Sequence, residues 1–184
     1  MIRFDSIALV LAVLGTGTAQ TPVNQTSLVL EDFTKRVNAY VAVHKTARAE
    51  VHGLKPTSNP EAIEHYEHRL AHRIRELRKH AAAGAIFSPE ITTVFGQLIR
   101  NAMQGPTGAR VQASLNHAEP VRLPQLRVDA SYPEHLPLQS TPPSVLENLP
   151  KLPPEVEYRV VGHALVLRDV DANLIVDFAR NVVP

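Results

Sequence analysis

The chain has 184 residues, with 19 Lys and Arg against 18 Asp and Glu, 44% hydrophobic residues and no Cys. A net charge of +1 supplies no field that would steer the protein to nucleic acid or to an anionic lipid surface. The absence of Cys removes thiol catalysis and disulfides, so stability must come from apolar packing.

Residues 1–19 predict a secretory signal peptide. Arg3 precedes an apolar run from Ile7 to Leu14, and small residues follow at Gly17, Thr18 and Ala19. That run is far short of the roughly 20 residues that span a bilayer, so no membrane span is expected once it is removed. Export to the periplasm or beyond is the expected location. Residues 20–184 read as a single α+β domain: a helical part over 20–116, a Pro-rich strap over 117–155 and a β-meander over 156–184. A chain of this size buries about 70% of its unfolded surface.

From Thr26 to Val51 the residues Val29, Phe33, Val37, Tyr40, Ala47 and Val51 recur at helical steps, and Gly53 and Pro56 close the run. A second helix opens at Asn59 and Pro60, with Glu61 and Glu64 in its first turn. Its stripe is Ile63, Tyr66, Leu70, Ile74, Leu77 and Ala81, and Gly84 is its expected stop. Similar lengths and a short link predict an antiparallel helical hairpin. Ser88, Pro89 and Glu90 announce a third helix carrying Ile91, Phe95, Leu98, Ile99 and Met103, and a short fourth is expected over 107–116. Nine prolines between Pro120 and Pro154 then exclude long helices and sheet interiors. Regular apolar anchors such as Leu126, Val128, Tyr132 and Val145 predict an extended strap laid across the helices, with a helical turn over 144–149. The terminal run "VEYRVVGHALVLRDVDANLIVDF" predicts a three-stranded antiparallel meander, turning at Gly162–His163 and across Asp169–Asn173.

The stretch "HYEHRLAHRIRELRKH" holds four of the nine histidines. At 100° per residue His65, His68 and His72 fall opposite the apolar stripe, which makes them part of a solvated face. His68 and His72 stand four apart and have the spacing to share a zinc ion, but Arg75 and Lys79 on that face oppose a cation and no HExxH motif is present. Arg69, Arg73, Arg75, Arg78 and Lys79 would suit nucleic acid by count alone. Glu61, Glu64 and Glu67 at the other end make the pattern one that complements the helix dipole. His44 differs in lying on the apolar stripe of the first helix. It reads either as a buried histidine bonded to a backbone carbonyl or as a pocket residue that titrates between pH 5 and 8.

Asp169, Asp171, Asn173 and Asp177 offer oxygen ligands in the spacing that opens a calcium loop. Leu174 and Arg180 stand where an EF-hand has Gly and Glu, so a structural turn is the plainer reading. No nucleophile elbow, Walker loop or dinucleotide fingerprint follows the signal peptide.

The stretches "VNQTSLVLEDFTKRVNAYVAVHK" and "EYRVVGHALVLRDVDANLIVDFARNVVP" resemble a family of exported proteins from Gram-negative soil bacteria that has no assigned activity. The resemblance implies export and a single domain, and it transfers no catalytic residue.

The expectation is therefore an exported, non-enzymatic structural or interaction module with a protein partner in the cell envelope and no nucleic-acid partner. Its expected contact surface is the groove around Tyr132, His135, Tyr158 and Arg168, with His44 as a further ligand candidate. The alternatives are a periplasmic protein that binds a metal or small ligand, and a hydrolase assembled from dispersed His and carboxylates. No cofactor is expected, calcium and zinc being the ions these residues would take.

Overall fold

The computed structural model describes residues 24–104, 108, 125–133 and 143–184. The predicted signal peptide, nearly all of the fourth helix and His135 lie outside these residues.

Helix α1 runs Gln25–Glu50. Asn24 caps it by accepting from the Thr26 N–H, and Phe33, Val37, Tyr40, Val41, His44 and Ala47 form its buried face. Helix α2, Pro60–Leu77, is capped by Asn59 and buries Tyr66, Leu70, Ala71 and Ile74. It ends well before Gly84, where the apolar stripe alone would have carried it. The N–H groups of Gly84, Ile86 and Phe87 instead point at the Asp177 carboxylate, a geometry that a continued helix would not supply. Helix α3, Pro89–Ala102, starts at Ser88, whose hydroxyl accepts from the Ile91 N–H, and it buries Ile91, Phe95 and Ile99. Helix α4 is a single turn, Pro143–Leu146. Helix α1 contacts both α2 and α3.

The sheet has strands β1 (Val156–Val161), β2 (Ala164–Asp169) and β3 (Leu174–Ala179), antiparallel in the order β1-β2-β3. Both turns fall where the sequence places them. Gly162 takes φ 57° at the first position of a two-residue turn, and Asn173 takes φ 50° just ahead of β3. The β2–β3 register shifts between Leu167, opposite Asp177, and Arg168, opposite Ile175, leaving Val176 as a bulge on β3. Two successive residues, Val176 and Asp177, therefore face the same side. Without the bulge the strict alternation of a strand would send Asp177 to the other face.

One face of the sheet, with Val156, Tyr158, Val160, Leu165, Leu167, Leu174 and Val176, packs on the helices. At its centre Phe33 lies 4.7 Å from Phe95 and 5.6 Å from Phe87, ring centre to ring centre, with Tyr158 stacked on Phe33 at 6.3 Å. The opposite face carries Val161, Ala164, Val166, Ile175 and Phe178 and is covered by Leu126 and Tyr132. Of the two described parts of the strap, residues 143–155 carry Val145 and Leu149 into the helix-facing core and contact α3 through α4. Residues 125–133 lie on the sheet, so the expectation of a strap across the helices is corrected for that segment alone. The same segment also borders β3, with Asp129 N–H donating to Ile175 O, Ile175 N–H to Ala130 O and Tyr132 N–H to Asn173 O. A three-stranded sheet apolar on both faces needs a second cover, and the strap's apolar anchors supply it. No described helix is long and apolar enough to cross a membrane.

Candidate functional site

The densest chemistry lies where α1 meets the end of β2. His44, on the buried face of α1, is fully enclosed, as is Asp169. His44 Nδ1 stands 2.6 Å from Asp169 Oδ2, and because a carboxylate only accepts, Nδ1 carries the hydrogen. The Tyr40 hydroxyl, one helical turn earlier, donates to the same oxygen at 2.6 Å. The other oxygen accepts the Ala172 N–H at 2.8 Å, which closes the β2–β3 turn. The plainer of the two sequence expectations gave His44 a backbone carbonyl as partner. The partner is a buried carboxylate 125 residues away, which helical periodicity cannot reveal.

The second imidazole nitrogen of His44 is buried and has no hydrogen-bond partner among the described residues. Asp171 Oδ2 lies 3.7 Å from it, beyond hydrogen-bond reach, and is held at 3.0 Å by Arg48. Glu155, just before β1, pairs with Lys45 through one oxygen at 3.3 Å, while its other oxygen is buried without a partner among the described residues. Burial alone would lower the affinity of the His44 imidazole for a second proton. The hydrogen bond and charge of Asp169, reinforced by Asp171 and Glu155, outweigh it and raise the imidazole's pKa above the ordinary histidine value. Burial, with the adjacent Asp169 charge, also pushes the Tyr40 hydroxyl far up, so it stays a donor.

Asp177, also fully buried, occupies a separate place. Its oxygens accept N–H groups from Gly84, Ile86, Phe87 and Phe178 at 2.7–3.0 Å. The Asn173 side chain accepts from Arg168 Nε at 3.0 Å. Asp169, Asp171, Asn173 and Asp177 therefore serve as partners to protein donors and do not converge as ligands. Among the described residues no three His, Asp or Glu groups are placed to hold a metal ion. His65, His68 and His72 are exposed on α2, with Glu64 3.4 Å from His68 and Glu76 3.9 Å from His72.

The expected contact residues separate. Arg168 lies over the Tyr132 ring, 5.4 Å from its centre, and bonds Glu157 at 2.6 Å on the strap-covered face of the sheet. Tyr158 lies on the opposite face, where its hydroxyl donates to Pro150 O. Tyr132 and Asn173 also line a cleft of about 260 Å³ with Glu64, Glu67, His68 and Ser131.

Glu155 was not singled out in the sequence, and Arg78 only as one of five bases along the second helix. Arg78 closes α2, yet its guanidinium stacks over the Tyr40 ring at 4.8 Å, bonds Asp129 of the strap at 2.5 Å and donates to Val176 O. In the sequence it reads as one more base at a helix end. Only the packing of α1, the strap and β3 around it reveals a hub.

No family model, no curated protein and no solved structure matches this chain.

Proposed function

We propose that the protein is an exported, non-enzymatic structural or interaction module that engages a protein partner in the cell envelope. The single observation that carries this reading is the use made of its buried polar groups. His44, Asp169 and Asp177 each tie one element to another, and among the described residues none of them lines the clefts along α2, at its end or beside β1. A general base or nucleophile has to reach a substrate, and these groups face other parts of the same chain. The reading includes an antiparallel α1–α2 hairpin and a short fourth helix over 107–116.

The contact surface is the rim where α2 meets the strap, at the cleft bordered by Glu64, His68, Ser131, Tyr132 and Asn173. Its exposed members, Glu64, His68 and Ser131, are polar, as the rim of a non-obligate protein contact is. Crosslinked capture from an envelope extract tests this. The full chain should retain a specific partner, and a Glu64→Lys, His68→Glu variant, altered only at exposed positions, should lose it. Turnover in a broad hydrolase panel that vanished in a still-folded His44→Gln variant would overturn the reading.

A further inference from the structure

The His44 cluster does more than fill a core position. A neutral imidazole has one donor and one acceptor, and its donor is committed to Asp169. The remaining nitrogen would then present a buried lone pair towards Asp171 at 3.7 Å, with a buried, unpartnered oxygen of Glu155 in the same cluster. A buried acceptor facing another acceptor is costly, whereas an imidazolium presents a donor to each side.

We propose that doubly protonated His44 is a pH-operated clasp that fastens α1 to the β2–β3 turn through Asp169 on one side and Asp171 on the other. On deprotonation the Asp169 bond remains, the Asp171 side turns repulsive and the turn loosens from α1. This device is independent of which partner the surface of the protein engages.

The charged and titratable surroundings are Tyr40, Lys45 and Arg48 from α1, Arg78 from α2, Glu155 ahead of β1, Asp169 at the end of β2 and Asp171 in the turn. Arg48 and Lys45 oppose the imidazolium, but each is committed to a carboxylate, Asp171 and Glu155 respectively, and each is more than half exposed. Asp169 is enclosed with the imidazole and acts at 2.6 Å with little screening. The folded pKa of His44 lies above its unfolded value of about 6.5. Its stabilising contribution is therefore complete below about pH 6.5 and is lost as pH rises through the folded pKa. The clasp holds in acid and releases towards alkaline pH.

The test is an NMR titration of the full chain with ¹³Cε1-labelled histidine, read alongside the backbone amides of Asp171 and Ala172. One imidazole signal, missing from His44→Gln, should titrate with a midpoint above about 6.5, and the two amides should move with the same midpoint. Asp171→Asn changes a residue that is 36% exposed and already paired at the surface, so it keeps the fold while lowering that midpoint. If His44→Gln fails to fold, the shift caused by Asp171→Asn identifies the signal instead. A His44 midpoint at or below the ordinary value, or one that Asp171→Asn leaves unmoved, would overturn the clasp.

Discussion

Asp177 is enclosed, and its two oxygens accept four backbone N–H groups, three from the loop between α2 and α3 and one from β3. Substitution by Asn keeps the shape but turns one oxygen into a donor that faces two donors. Each orphaned buried donor costs about 1–3 kcal/mol, so Asp177→Asn should destabilise by about 3 kcal/mol in a denaturant melt. Asp177 was visible in the sequence only as a possible calcium ligand, because a carboxylate in "DFAR" gives no sign of which amides it meets. His44 was more legible. A polar residue on an apolar stripe must find a partner, and that expectation holds, while the identity of the partner depends on a contact across most of the chain.

At the scale of elements, the meander and the place of its turns were readable, since the turns rest on local chemistry. Gly162 adopts a positive φ at no steric cost, and Asn173 tolerates one. The bulge at Val176 was not readable, because "LIVDF" alternates no more clearly with it than without it. Deleting Val176 should remove the bulge and restore strict alternation with Asp177 still opposite Leu167 on the helix-facing side. The four loop and strand amides would keep their acceptor, so the cooperative thermal transition seen by circular dichroism should persist, with its midpoint lowered by the loss of the buried Val176 side chain. Deleting Lys55, exposed in the link between α1 and α2, is the control and should leave that midpoint in place. The early end of α2 has the same origin as the bulge, because both serve the meeting of Asp177 with the Gly84 loop.

Over the whole molecule, three layers stack: helices, sheet and strap. Arg78 joins all three through Tyr40, Val176 and Asp129, and Arg75 adds a bond to the Asp129 carbonyl. Burial raises the pKa of the Asp129 carboxyl, while Arg78 and Arg75 pull it back. Removing the Arg78 guanidinium leaves that carboxylate half-buried and weakly compensated, so the strap should loosen from α2 before the core melts. In Arg78→Ala, trypsin should cleave after Arg127, an exposed strap residue, several-fold faster than in the parent chain, as followed by mass spectrometry. Equal cleavage rates would show that Leu126 and Tyr132 hold the strap by apolar contact alone.

By itself the sequence determined the α+β class, the starts of three helices, the three strands with both turns, and the exposure of the α2 histidines. Each of these follows from periodicity, caps and turn chemistry within a few residues, where the physical cause and its effect are neighbours in the chain. Only the tertiary structure decided the rest: the carboxylate beside His44, the four amides at Asp177, the sheet face under the strap and the hub at Arg78. Those depend on groups about 50 to 130 residues apart meeting in a water-poor interior, where an unpaired charge or donor is costly enough to dictate its partner.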